Sequence, residues 1–279
     1  MNEFADPADV EPKHPDAVAA RREFRLLVEH LHRLPPRLRA RLQSLFTHNL
    51  IADPMCVDTP AGPLSFVLLG TMSGSRAVTS VSKQPATIAW IDSFPAGSIF
   101  WDIGANVGVY TLYAALRGAR VVAFEPAAVN YFLLAANCEA NRLDDRVDCL
   151  LVGVGAERRI ARLDVSQFKG AGSFTFDPKA DDLHGGQQSA IILSIDELVG
   201  AYGLPCPNYI KIDAPGATEP IIAGASATLQ RPDLRELHIE MSAESKRGQR
   251  IVSMLADAGF VATARHVHGA EDLTFTRAV

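Results

Sequence analysis

The chain has 279 residues, of which 48% are hydrophobic, 21% charged and 7% aromatic, an ordinary soluble composition able to bury one substantial core plus accessory elements. Its formal net charge of -5 gives no support to general nucleic-acid binding, which draws on a basic surface. Four widely spaced cysteines (Cys56, Cys138, Cys149 and Cys206), without a C-x-x-C or a nearby histidine pair, argue against a disulfide or zinc framework and fit reduced thiols in a cytoplasmic protein.

Residues 1–16 hold three prolines and five acids and read as a disordered tail, with neither the basic nor the apolar region of a secretory leader. From Ala17 to Phe46 the pattern is helical. Phe24, Leu27, Val28 and Leu31 recur at spacings of three and four, and Pro35-Pro36 interrupts the run. Seven arginines against Glu23 and Glu29 give Ala17–His48 a balance of +5, leaving -10 for the remainder. A basic amphipathic stretch suits a membrane surface or an anionic partner; a narrow, interrupted apolar stripe instead favours a helical arm packed on the main body or on a second subunit. Residues 17–97 are therefore read as an N-terminal helical arm and accessory segment, whose helices could pair subunits into a homo-oligomer. No apolar run reaches the ~20 residues that cross a bilayer, so no transmembrane segment is expected.

From Ser98 onward, strand-like and helix-like stretches alternate. Strands are predicted at Ser98–Ile103, Arg120–Glu125, Val147–Val152, Asn208–Asp213 and Leu234–Glu240. Helices are predicted at Tyr110–Arg117, Asn130–Asn141, Ile195–Tyr202, Glu219–Leu229 and Ser245–Ala258. An insertion at 159–193 reads as short β segments, with Gly-rich pieces at Lys169–Gly172 and Gly185–Gly186. Two closing strands, Phe260–Ala264 and Asp272–Arg277, have no helix between them and suggest an antiparallel hairpin at a sheet edge. Apolar strands separated by helices mean βαβ units, so residues 98–279 are expected to form an α/β domain around a mostly parallel sheet covered on both faces.

The first of these strands runs out in Asp102, and the turn Gly104-Ala-Asn-Val-Gly108 follows. In an open α/β sheet, ligands bind past the carboxyl ends of the strands, where glycines permit positive φ and close approach and a helix end offers unpaired N–H groups. A dinucleotide would want G-x-G-x-x-G, whereas this chain has D-x-G-x-x-x-G. A carboxylate at the first position repels a pyrophosphate but suits an ammonium or a sulfonium. Glu125 ends the next strand, 23 residues after Asp102, close to the ~20-residue interval at which an acid reaches ribose hydroxyls. Pro126 then turns the chain out of the strand. Together the two acids point to an adenosine-containing ligand, and Asp102 tilts the choice toward S-adenosylmethionine. The plain alternative is that Asp102 caps its turn and Glu125 is a solvated strand end.

The sequence resembles the FkbM family of S-adenosylmethionine-dependent methyltransferases over about Ser82–Met241. The resemblance rests on SKQPATIAWIDSF (Ser82–Phe94), FWDIGANVGVYTLYAA (Phe100–Ala115), VVAFEPAAVNYFLLAANCEANRL (Val121–Leu143), KGAGSFTF (Lys169–Phe176) and PNYIKIDAPGATEPIIAGA (Pro207–Ala225). It implies a Rossmann-like, seven-stranded, mostly parallel sheet with the last strand antiparallel. It also implies that Asp102, Gly104, Ala105, Asn106 and Gly108 surround the methionine half of S-adenosylmethionine, and that Glu125, followed by Pro126, holds the ribose. Asn130 and Asn137 match frequent family positions, with capping or packing as the other reading. The implied activity is O-methylation of a small hydroxylated acceptor such as a sugar or polyketide. This chain departs from the pattern at Pro215 and Thr218, where acids are usual after Asp213, and at Gln84, where Glu is usual. Losing acids beside Asp213 weakens any case for a divalent metal there.

Methyl transfer to a hydroxyl needs donor and acceptor held in line at about 3–3.5 Å and a base within hydrogen-bond reach. Asp213, at the end of its strand, is the first candidate base. By period-two alternation it shares a face with Tyr209 and Lys211, and Lys211 in a central strand must be paired, by Asp213 or Glu240. Asp213, Lys211 and Glu240 form the candidate catalytic set, or else an ion-pair cluster that stabilises the sheet. His238 shares the face of Glu240 and is a weaker base candidate. His184 reads as a lid or an ordinary loop residue. His266 and His268 lack a third ligand, and no metal is expected. A cofactor-binding protein with a degenerate acceptor site and no turnover, and a nicotinamide-dependent oxidoreductase sharing the acid at Glu125, are the competing readings.

Overall fold

A computed structural model describes residues 15–69, 73, 77, 79, 83–165, 175–176, 186–268 and 270–278. The chain divides into two compact units between Ala52 and Asp53. The first holds helices α1 (Pro15–Arg33) and α2 (Pro36–Ala52). The double proline parts them: a proline within a continuous helix would break its ladder, whereas Pro36 at the first turn of α2 loses no bond. The Arg39 N–H donates to the Pro35 carbonyl at 3.0 Å to open that turn. Helix α1 begins two residues inside the stretch read as a tail, whose other residues, 1–14, lie outside the described ones.

The second unit opens with a hairpin, β1 (Met55–Thr59) and β2 (Gly62–Phe66), and helix α3 (Pro85–Asp92). In the accessory segment that sequence patterning grouped with the arm as far as Gly97, Leu64, Phe66, Ile88 and Ile91 pack into one core with Phe100 and Tyr113. Then follow β3 (Ile99–Ile103), α4 (Val109–Leu116), β4 (Arg120–Phe124), α5 (Ala128–Ala140) and β5 (Val147–Leu150). Strand β6 (Gly153–Val154) precedes the insertion, which supplies β7 (Arg159–Val165), β8 (Thr175–Phe176) and β9 (Gly186–Leu193). Helix α6 (Ile195–Gly200), β10 (Tyr209–Ile212), α7 (Thr218–Ala223), β11 (Glu236–Glu240), α8 (Lys246–Asp257), β12 (Phe260–His268) and β13 (Ala270–Arg277) complete the chain.

Seven strands form one sheet in the order β12-β13-β11-β10-β3-β4-β5. All pair in parallel except β13, the last in sequence, which runs antiparallel between β11 and β12. This is the Rossmann-like α/β architecture expected, with the closing hairpin at the edge. Alternation sends Trp101, Ile103, Ile210, Ile212, Leu237 and Ile239 to one face, against Ile221 and Leu255. Phe100, Val121, Ala123 and Tyr209 go to the other, against Trp90, Leu112 and Leu134. Burial on both faces explains why these strands read as unbroken apolar runs.

With β6, the insertion strands form a second, four-stranded sheet in the order β6-β9-β7-β8. The residues Lys169–Gly172, His184 and Gly185 singled out in the sequence lie outside the described ones. Helix α7 stops earlier than its pattern predicts, and a short turn at Thr228–Gln230 follows. A Cβ at Gly224 would fall 2.2 Å from the Gly155 carbonyl oxygen, and Asp196 accepts from the backbone N–H groups of Ala227 and Thr228, capping the new turn instead. Among the described residues no helix is long and apolar enough to cross a membrane.

Candidate active site

One face of the sheet carries a row of polar side chains that sequence alternation only half reveals. Asp102 on β3, Lys211 on β10, His238 on β11 and Thr274 on β13 are register partners on four adjacent strands, and all four are buried. Such groups must be satisfied inside a protein. Lys211 donates to Asp213 at 3.3 Å, and its ammonium lies 4.8 Å from the centre of the Tyr110 ring. Burial alone would lower the Lys211 pKa, but the negative charge of Asp213 and Asp102, with Tyr110, outweighs it and holds the amine above its ordinary value. Asp102 accepts a 2.7 Å hydrogen bond from the Thr111 hydroxyl through Oδ2, while Oδ1 is buried with no hydrogen-bond partner among the described residues. Burial raises the Asp102 pKa, and Lys211 and Thr111 oppose that rise.

Beyond Asp102 the chain turns sharply. Gly104 and Gly108 have φ of +83° and +89°, and Asn106 enters the same left-handed region at +56°. The glycines answer to packing within the chain: a Cβ on Gly104 would fall 2.1 Å from the Asp213 carbonyl oxygen, and one on Gly108 2.6 Å from Leu134. The end of β3 and the end of β10 therefore touch through backbone. The N–H groups of Gly104 and Ala105 both donate to the Phe124 carbonyl at 3.0 Å, tying the turn to β4. Glu125, just past β4, accepts from the backbone N–H of Asn106 at 2.8 Å and of Ala127 at 2.9 Å. It is 4% exposed, and burial pushes its pKa up to about 7 against those bonds and one with Asn130. Glu125 is thus no solvated strand end.

Asn137 has a structural task. Its side chain accepts from the Val67 N–H at 2.7 Å and donates to the Val107 carbonyl at 2.8 Å, bracing the glycine turn from behind. Helix α3 covers the polar row through three rungs: Gln84 donates to Glu240 at 3.1 Å, the Thr87 hydroxyl meets His238 at 3.1 Å, and the Trp90 indole donates to Glu236 at 2.6 Å. Helix positions three apart meet strand positions two apart. The Tyr110 hydroxyl donates to the other end of the Gln84 amide, so one glutamine joins α3, α4 and β11. Burial, then the nearby charge of Asp213, raises the Glu240 pKa.

The structure brings Asp102, Lys211, Asp213 and Glu240 to the carboxyl ends of neighbouring strands, with Gly104, Ala105, Asn106 and Glu125 alongside. His238 is set deeper, 1% exposed, stacked 4.8 Å from Trp90 and bonded to Thr274 at 3.0 Å, so it belongs to the core. Pro215 lies exposed in the turn after β10, and Thr218 is buried at the start of α7. The side chains of His266 and His268 lie outside the described ones; among those described, no three metal-binding groups converge. Sequence reading missed Tyr110 and Gln188, and it noted Gln84 only as a departure. Gln188 on β9 donates to the Pro126 carbonyl at 2.7 Å and accepts from the Ala128 N–H at 2.9 Å. No local spacing signals a partnership across some sixty residues.

The family model described as the methyltransferase FkbM domain matches residues 102–262. The 31-O-demethyl-FK506 methyltransferase FkbM of Streptomyces tacrolimicus is 25% identical over 198 residues, covering 60% of this chain and 74% of that protein. The hexuronic acid methyltransferase AglP of Haloferax volcanii is 23% identical over 210 residues, covering 73% and 81%. Among solved structures, methyltransferase FkbM from Methylobacillus flagellatus superposes with a TM-score of 0.45 at 15% identity, covering 64% of this chain but only 43% of that one. The magnesium protoporphyrin IX methyltransferase of Synechocystis, solved with bound S-adenosylmethionine, gives 0.46 at 14% identity, covering 76% and 86%. With its matched region running from Asp102 through the polar row into β12, the chain belongs to the FkbM family of methyltransferases.

Proposed function

We propose that this methyltransferase uses S-adenosylmethionine to methylate a hydroxyl of a small metabolite, sugar or polyketide-type acceptor. The observation that carries the reading is the pair of buried carboxylates at the ends of β3 and β4. Asp102 keeps one oxygen without a hydrogen-bond partner among the described residues, and Glu125 has two backbone donors that leave further acceptor capacity on its oxygens. An ammonium would satisfy the first, and ribose hydroxyls would donate to the second. Asp102 is completely covered, so an ammonium reaches its free oxygen only where the covering groups shift. When bound, S-adenosylmethionine supplies an electrophilic methyl group on a sulfonium. The chain supplies the rest: Asp102 and Glu125 orient, Lys211 fixes Asp213, and Asp213 receives the acceptor's proton. The names of the two relatives, one a 31-O-demethyl-FK506 methyltransferase and one a hexuronic acid methyltransferase, support an oxygen acceptor on a small molecule.

Glu125→Ala tests the cofactor half. Affinity for S-adenosylhomocysteine, read by calorimetry, should fall by about 1–3 kcal/mol, the range for losing a charged hydrogen-bond partner. Unchanged affinity would remove Glu125 from the site. One observation favours a second reading, a cofactor-binding protein without turnover: Asp213 is already engaged by Lys211. Product analysis separates the two, because only the enzyme converts a hydroxylated acceptor to its methyl ether with formation of S-adenosylhomocysteine.

A further inference from the structure

The insertion sheet reaches into the nucleotide end of the site through one side chain. Behind Glu125, three consecutive residues expose polar backbone groups: the Pro126 carbonyl, the Ala127 N–H and the Ala128 N–H. Glu125 itself takes the middle one, at 2.9 Å. The Gln188 amide takes the other two, donating to Pro126 at 2.7 Å and accepting from Ala128 at 2.9 Å. Helix α5 has no capping side chain of its own, since its N-cap is Ala127. A terminal N–H left without a partner weakens a helix start, and β9 fills that lack from sixty residues further along the chain.

We propose that Gln188 is a positioning residue of the cofactor site: by clamping the Pro126–Ala128 turn from the insertion sheet, it keeps the Ala127 N–H on Glu125 and so holds that carboxylate where the ribose is bound. The inference rests on the cofactor reading given above and extends it to the insertion. Gln188 touches no ligand; its effect passes through Glu125. A neighbouring residue gives the control. Gln187 accepts a hydrogen bond from Arg162 within the insertion at 2.7 Å.

The test is calorimetric titration of the full chain with S-adenosylhomocysteine. Gln188→Ala should weaken binding about 3–10-fold, the loss of one or two neutral hydrogen bonds. Gln187→Ala should leave it unchanged. Glu125→Ala combined with Gln188→Ala should bind no more weakly than Glu125→Ala alone, because the clamp has nothing left to aim. Full additivity in that cycle, equal losses from Gln187→Ala and Gln188→Ala, or wild-type affinity in Gln188→Ala would each overturn the proposal. Failure of the wild-type protein to bind S-adenosylhomocysteine at all would instead bring down the cofactor reading, and this inference with it.

Discussion

Replacing Asp213 with asparagine should lower turnover by about 10²–10⁴, the usual contribution of a positioned general base, while leaving affinity for S-adenosylhomocysteine nearly intact. The amide keeps an oxygen that can accept from Lys211, 3.3 Å away in the wild type, but it cannot take a proton. Lys211 also faces Asp102, its register partner, so its charge is not abandoned when Asp213 is neutralised. The rate is read as S-adenosylhomocysteine formed from saturating donor in the presence of hydroxylated acceptors, followed by mass spectrometry. Glu240 is the rival. It sits at the end of the adjacent strand, oriented by Gln84. If Asp213→Asn keeps the wild-type rate and Glu240→Gln loses it, the proton leaves by way of β11.

Glu125→Gln should alter the way stability depends on pH. The carboxyl of Glu125 moves from an ordinary 4.5 to about 7 on folding, because burial costs the charged form more than the amides of Ala127 and Asn106 and the side chain of Asn130 return; Asp102 adds to the rise. The native state thus holds this proton more tightly than the unfolded chain. Its stabilising contribution is complete below 4.5 and is lost as the pH climbs through 7. A glutamine does not titrate. The unfolding free energy of the variant relative to wild type should therefore rise by about 3 kcal/mol between about pH 4.5 and pH 8.5. The backbone bond that glutamine cannot accept costs the same at both ends of the range and cancels. Denaturant titrations of the ligand-free protein at the two pH values provide the check, and a flat difference would mean that Glu125 is solvated in solution.

Much of the sheet was legible in the sequence because its strands are buried on both faces. SIFWDI and YIKID carry their assignment in apolar runs with an acid at or next to the end, whereas the register that sets Asp102 beside Lys211 emerges only in the structure. The Lys211–Asp213 pairing was also readable, since alternation puts both on one face and a buried ammonium needs a partner. The glycine turn was found, but for another reason than the one that governs it: Gly104 and Gly108 are required by Asp213 and Leu134, residues far away in the chain. The three rungs of α3 on β11 could not be read, as nothing local ties Gln84, Thr87 and Trp90 to a strand about 150 residues on. His238 looked like a site residue because period two put it on the right face, and only depth distinguishes it from Glu240. Helix α7 was overestimated because composition does not show where Gly155 will press against Gly224.

The contact between Gly104 and the Asp213 carbonyl limits how this scaffold can be re-engineered. Grafting a longer segment after β10 to admit a bulkier acceptor would push that carbonyl into a neighbour with no side chain to yield and no slack to share. Changing the exposed side chain at Pro215 is open to a designer; changing the length of that corner would spread two central strands apart.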